Sequence, residues 1–344
     1  MKRWITMVFG LVLATGAVGA KAGTFNAGEL LFAQPSWDYS PSAMIDLDGK
    51  EKVWWCGGNA GTDTVKYRER VPGGAWTEPQ IVLRSNRVTP GATPIAWEGV
   101  FTCDPTVVRG NWTVGGISYG YAMYYTTNWP VDGRGNSVGV AFSTDGLHWN
   151  KWPDPVIHDA DTSAYGTGQS VAWSSDGGSG VRTVYSYVDD SGVPAYFYRE
   201  ATDGIHFGPR RSISTAGLTL NGVPGVSHAN PAIAFAPSVQ NGHYYYYMAN
   251  VCETYADSSF GPNFPEWGTA KGVCLYRAEG DDIFTGSWTR VLDSAHIKPV
   301  EVEPGFRTNL YGYLDQAKVN VYFGCSGDGE PSTWEICWAE GDFP

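Results

Sequence analysis

The stretch FTCDPTVV, residues 101–108, sets Asp104 directly before a proline and at the mouth of a β-branched run. Asp38, Asp161 and Glu253 are further acids that fall near the ends of strand-like runs elsewhere in the chain. Carboxyl groups brought together can divide the labour of acid–base chemistry, one staying ionised while burial or a neighbouring charge keeps another protonated. Cleavage of a glycosidic bond needs two such groups flanking the bond. An aspartate before a proline can also cap a strand through backbone bonds, so the chemistry depends on what positions these residues.

The chain repeats itself. Runs that open on a proline or small residue appear at SPSAMID (40–46), DPTVV (104–108), GQSVAW (168–173), NPAIAF (230–235) and RTNLYGY (307–313), with starts about 64, 64, 62 and 77 residues apart. Each is followed by an aromatic and β-branched run: KVWWC, YAMYY, TVYSYV, YYYYMAN and VNVYFGC. A third run sets Tyr67, Phe142, Tyr198, Tyr276 and Trp338 at equivalent places. Four units then turn to an aromatic residue, at Trp76, Trp149, Phe207 and Trp288. Five units of three or four antiparallel strands, without helical periodicity between them, predict an all-β chain folded as a five-bladed β-propeller. The fifth unit lacks an outer strand, and GELLFAQ (28–34) can supply it, closing the ring and leaving no open edge. Ser143, Asp145, Gly146 and Trp149 resemble an Asp-box, and Asp203, Gly204 and Phe207 repeat it, which marks a structural turn rather than a reactive one.

Residues 1–22 have a basic start, an apolar stretch and the small-x-small end Ala20-Lys21-Ala22, so a secretory signal peptide is expected with one domain over 23–344. The apolar stretch is too short to span a bilayer, and a secreted or periplasmic protein without a membrane anchor follows. A formal net charge of −12 makes nucleic acid a poor partner. A monomer acting on carbohydrate, without a metal or other cofactor, is the expectation. Six cysteines suit an oxidising compartment, and spacing alone leaves 15 connectivities open. The repeat alignment chooses among them. Cys252 and Cys325 end second strands and Cys274 and Cys337 sit on the following third strands, which predicts Cys252–Cys274 and Cys325–Cys337. Cys56 and Cys103 then meet between the first two blades.

In a propeller, residues just before each inner strand and just after each second strand crowd one end of the central channel. That rule gathers Asp38, Asn59, Glu98, Asp104, Asn128, Trp129, Asp161, Asp189 and Asp190 from the first three units. His228, Asn230, Glu253, Asp257, Glu301, Glu303, Arg307 and Asp328 come from the last two. Trp129 offers a flat face for a sugar, and His228, Arg307 and Glu303 offer polar contacts to it.

Five repeats, Asp104-Pro105 opening an inner strand, and Asp38 near the start of the first blade resemble the five-bladed propeller glycoside hydrolases, which include arabinanases, β-xylosidases, levansucrases and invertases. The resemblance implies a base or nucleophile at Asp38 and a charge that tunes the site at Asp104. It also implies a glutamate acid on the third blade, where this chain has Gln169 and Ser170. Asp161, Glu253 or His228 would then stand in for it. A glycan-binding propeller that does not cut its ligand is the alternative. No phosphate-cradling glycine loop, HExxH, metal-spaced CxxC pair or GxSxG elbow is present.

Overall fold

The computed structural model describes residues 23–25, 29–32, 37–59, 61–127, 137–158, 167–173, 178–188, 194–225, 231–237, 244–256, 269–280, 282–293, 304–309, 314, 318–325 and 335–342. Nearly all of the regular structure in them is β, with one single-turn helix at Asp282–Thr285. Twenty of the strands fall into five antiparallel meanders of four, and a short hairpin of Thr219–Leu220 and Val223–Pro224 forms a sheet of its own. The first runs through Asp38–Ile45, Glu51–Asn59, Thr62–Arg70 and Gln80–Leu83. Cys103–Val114, Ile117–Thr127, Ser137–Ser143 and Trp149–Lys151 make the second. The third holds Thr167–Trp173, Val181–Val188, Pro194–Ala201 and Arg211–Ser212, and the fourth Ala232–Pro237, Tyr244–Ala256, Thr269–Glu279 and Thr289–Asp293.

The fifth meander takes Gly305–Asn309, Lys318–Cys325 and Glu335–Asp342 from the C-terminal region and borrows Glu29–Phe32 as its outer strand. Leu30 pairs with Cys337 and Phe32 with Ile336, inside the segment that the repeat pattern nominated for closure. Gly23–Thr24 adds a parallel strand to the edge of the fourth meander, and Phe25 behind it is buried. No repeat pattern announces a two-residue strand, so this second anchor was not expected.

The inner strand of the fifth meander starts at Gly305, ahead of the expected 307. It pairs in parallel with the first meander, Arg307 opposite Ala43. Gly305 makes that approach possible, because a Cβ there would overlap the carbonyl of Pro41. The result is one eight-stranded sheet that contains the first and last meanders.

Side chains pack between meanders rather than within them, since second and third strands are buried on both faces; every residue of Ser137–Ser143 is buried. Trp54 and Tyr67 meet Tyr121 and Met123 between the first and second meanders. Trp112 and Tyr124 meet Val181 and Tyr185 at the next junction. Tyr196 and Tyr198 then pack on Met248 and Tyr276, and Val251 and Leu275 on Val321 and Phe323. A fifth cluster returns from Tyr322 and Ile336 to Val53 and Trp55.

The Asp-box turns are structural. Asp145 Oδ1 accepts from the backbone N–H groups of Leu147 and His148 at 2.8 and 2.9 Å, and Gly146 sits at φ +80°. The indole of Trp54, in the first meander, donates to the Gly146 carbonyl at 3.0 Å, and the Tyr124 hydroxyl donates to Gly204 in the same way at 2.7 Å. Each box therefore locks onto the meander before it. Burial, the largest single influence on Asp203, favours its neutral form, but the His206 ring, the His206 N–H and the Ile205 N–H together outweigh it and bring the carboxyl to about 2. The ordinary value is 3.8, so the stabilisation from this charge is present above that pH and fades as pH falls towards 2. Asp203→Asn is accordingly expected to melt below the parent protein at pH 6, with the gap closing between pH 4 and pH 2. A gap that stays constant over that range would assign the turn's stability to shape alone.

Candidate active site

Residues at the starts of the inner strands meet at the seam of the first two meanders. Both inner strands carry a bulge there: register slips between Tyr39 and Ser42 in the first, and between Cys103 and Thr106 in the second. Ser40 and Asp104 occupy the bulges, each directly before a proline, with φ at +48° and +49°. Left-handed backbone at a non-glycine residue costs about 1–2 kcal/mol and persists only where the surroundings enforce it. Here each residue holds the other. The Ser40 hydroxyl donates to Asp104 Oδ1 at 2.8 Å, and the Thr126 hydroxyl, from the second strand, donates to Oδ2. Ser42 Oγ accepts from the N–H of Val107 at 3.0 Å and continues the seam.

The third inner strand has the same slip, between Thr167 and Ser170. Gly168 thus occupies the place of Ser40 and Asp104, with Gln169 in the place of the prolines.

Cys56 and Cys103 bridge the seam above the cluster with their Cα atoms 5.0 Å apart. Cys252–Cys274 and Cys325–Cys337 stand at 5.7 and 5.8 Å across the fourth and fifth meanders. All three pairings are the ones the repeat alignment expects.

A carboxyl that sequence reasoning missed completes the group. Asp63 opens the third strand of the first meander opposite Gly58, and one of its oxygens lies within 4.8 Å of both sulfurs of the Cys56–Cys103 bridge. The Tyr39 hydroxyl donates to its Oδ2 at 3.1 Å. Burial, and after it the charge of Asp104, push the Asp63 carboxyl above its ordinary value, against the Tyr39 hydrogen bond that pulls it down. A carboxyl pushed towards its neutral form near a second acid is an arrangement that acid–base chemistry can use. Gly58 leaves a notch beside them: a methyl group there would meet Asp63 Oδ1 at 3.7 Å and the Cβ and Cγ of Trp37 at 3.5 and 3.9 Å. Trp37 is 46% exposed, so a largely open indole lies on the other side of Gly58 from the acid.

Asp38 lies in the same inner strand but is fully buried, and Lys66 Nζ reaches its Oδ1 at 3.0 Å. The Lys66 chain crosses Gly57, where any side chain would block it. Two expected pocket residues lie elsewhere. Arg307 approaches Glu51 at 3.5 Å, and Glu51 pairs with Ile45 at the far end of the strand from Asp38. Glu98, fully buried, pairs with Lys151 of an outer strand. Glu253 is met by Arg290 at 3.1 Å, from the outermost strand of its own meander. Asp161, Trp129, His228 and Glu303 lie outside the described residues, as do Asn128, Asp189, Asp190, Asn230, Asp257, Glu301 and Asp328.

No family model and no curated protein matches the chain by sequence. Solved structures match it along nearly its whole length. A family 117 glycoside hydrolase from the marine bacterium Zobellia galactanivorans superposes with a TM-score of 0.59 at 12% identity, over 94% of this chain and 91% of that one. A GH43 enzyme from Xanthomonas citri complexed with xylotriose gives 0.59 at 15%, over 91% and 89%. The α-L-arabinofuranosidase from Podospora anserina in complex with cellotriose gives 0.55 at 10%, over 94% and 98%. These are five-bladed β-propeller families of glycoside hydrolases. The chain is all-β and superposes on them over most of its length. At such identities the likeness carries architecture only, so the residues at the seam must be judged by their own geometry.

The burial of Asp38 against Lys66 generates a test of its role. Lys66→Met removes the cation from a fully buried carboxylate and is expected to destabilise the protein by about 3–5 kcal/mol in denaturant unfolding. Adding Asp38→Asn should recover a large part of that loss. Unchanged stability in Lys66→Met would mean that Asp38 reaches water and is available for chemistry.

Proposed function

We propose that the protein is a secreted glycoside hydrolase that acts on a poly- or oligosaccharide through paired carboxylates in the central pocket of a five-bladed propeller. The observation that carries this reading is the meeting at one seam of Asp63 and Asp104, the first pushed above its ordinary value by burial and by the charge of the second, with the exposed indole of Trp37 near by. Five packing clusters, the last of which returns to the first meander, support the closed ring. The amino-terminal segment and three bridged cysteine pairs support export to an oxidising compartment. The named partners of similar structures, xylotriose and cellotriose, support a carbohydrate ligand.

In this account Asp63 gives its proton to the glycosidic oxygen as the bond from that oxygen to the anomeric carbon breaks. The positive charge that develops on the sugar is stabilised by the Asp104 carboxylate, and a water molecule completes hydrolysis and returns a proton to Asp63. Trp37 carries the sugar face. Asp38 holds Lys66 and the base of the seam together instead of serving as the nucleophile that the family resemblance assigns to it.

The sealing of Asp38 by Lys66, with Gly168 and Gln169 at the third bulge, favours a second reading in which the propeller binds glycans without cutting them. Asp104→Asn separates the two. Asparagine tolerates left-handed backbone, and of the hydroxyls of Ser40 and Thr126 one can keep donating to its amide oxygen while the other turns to accept from its NH2, so the fold should persist. On a glycan panel that first identifies a substrate, turnover should fall by at least about two orders of magnitude with little change in melting temperature. A variant that melts early yet keeps its activity per folded molecule would make Asp104 a strand cap. A parent protein that binds glycans and cleaves none would establish the second reading.

A further inference from the structure

Residues 84–102, between the outer strand Gln80–Leu83 and the inner strand Cys103–Val114, contain no strand or helix. Connections longer than about 12–15 residues without regular structure are uncommon in compact domains and usually serve a function. This one is braced from several sides. Glu98, fully buried, receives Lys151 Nζ from the outer strand of the second meander and the N–H of Asn86 at 2.6 Å. Asn86 donates to the Thr93 carbonyl at 3.0 Å, Arg87 to that of Ala96 at 3.3 Å, and the Trp97 indole to that of Pro153 at 2.8 Å. Trp97 also stacks on Tyr125, with ring centroids 6.3 Å apart. The loop is a built wall, not slack between two strands.

Between that wall and the outer strands of the first two meanders lies a groove of about 680 Å³, open to solvent. Leu83, Ile95 and the half-buried indole of Trp149 give it an apolar floor. Asn86, Thr89, Thr93 and Asn150 bring amides and hydroxyls to its sides, and Arg84 stands exposed at the rim. No aspartate or glutamate is among the described residues lining it, although the chain carries a net charge of −12. A space of this volume suits a small ligand. Its lining suits one with a flat C–H face and many hydroxyls, which is the chemistry of a sugar chain.

We infer that this groove is an accessory glycan-binding site, separate from the acid pair at the seam. The outer strand Trp149–Lys151 is three strands from the inner strand that holds Asp104, about 14 Å at the usual spacing. An oligosaccharide held here would leave the seam free, so the site would tether the protein to a polymer whether or not the seam cuts it. The inference rests on the lining of the groove and does not require the hydrolase reading.

Binding of xylohexaose, cellohexaose and hexagalacturonate to the full secreted chain, followed by calorimetry and by Trp fluorescence, tests it. At least one should bind with a Kd below about 1 mM, a common strength for a weak single site. Thr93→Trp, which fills the groove from its exposed wall, and the double variant Arg84→Ala with Asn150→Ala should each weaken that binding at least tenfold. Asp104→Asn should leave it within a factor of two. Failure of all three oligosaccharides to bind would overturn the inference. So would binding that survives both groove variants and disappears in Asp104→Asn, since the sugar would then be held at the seam alone. Loss of turnover without loss of binding speaks only to the acid pair, which keeps the two accounts separable.

Discussion

The hydrogen bond from Ser40 to Asp104 is the interaction on which the rest of the site depends. It joins two residues held in left-handed backbone at matching bulges of neighbouring inner strands, each pinned by the proline that follows. Neither conformation would persist alone, because each costs free energy that a strand interior does not return. Their mutual bond, the Thr126 hydroxyl and the Cys56–Cys103 bridge over the seam together enforce both. In chain-entropy terms a bridge closing a loop of 47 residues contributes about 4 kcal/mol, ample to cover two strained residues. Strain is thus concentrated where a carboxylate has to be aimed, and the seam fixes Asp104 relative to the strand that carries Asp38 and the neighbouring strands that carry Gly58 and Asp63.

The opposite end of the same two meanders shows what a purely structural charge cluster looks like. Asp46, Lys52 and Tyr121 form a buried triangle, with Lys52 Nζ 2.5 Å from Asp46 Oδ2 and 3.1 Å from the Tyr121 hydroxyl. Burial works against the Asp46 charge most strongly, but the bonds from Lys52, Tyr121 and Leu47 prevail and hold its carboxyl below the ordinary value. Glu51 is likewise met by Arg70 at 2.6 Å and by Arg307. Every acid there has a cation against it. Asp63 differs, since burial and the charge of a second acid, Asp104, outweigh the Tyr39 hydrogen bond and move its carboxyl in the other direction.

Architecture was largely legible in the sequence because it repeats: second and third strands buried on both faces must be aromatic and β-branched, so their spacing survives as a pattern. The cysteine pairs followed from the same alignment, and so did the closing strand at Glu29–Phe32. Asp104 was legible because its proline and the run after it mark a strand mouth. Asp63 was not, since nothing local distinguishes GTDTVKY from any hairpin exit; what matters is that Gly58 faces it and that Asp104 lies across the seam. Arg307 and Glu98 were assigned to the pocket by position along the chain. A long side chain can reach a partner some distance from its Cα, and both found buried partners at other places. Asp38 lies at the same end of its strand as the seam, but the lysine that covers it lies on the third strand, which a rule about inner strands does not weigh.

The central claim is that burial and the charge of Asp104 keep the Asp63 carboxyl protonated further up the pH scale than an ordinary aspartate. Carboxyl-carbon NMR titration of the protein, assigned by comparison with Asp63→Asn, measures this directly. Asp63 should titrate above 3.8, and its midpoint should fall in Asp104→Asn, because removal of the neighbouring charge relieves one of the two causes of the shift. A midpoint at or below 3.8, or one that does not respond to Asp104→Asn, would contradict the account.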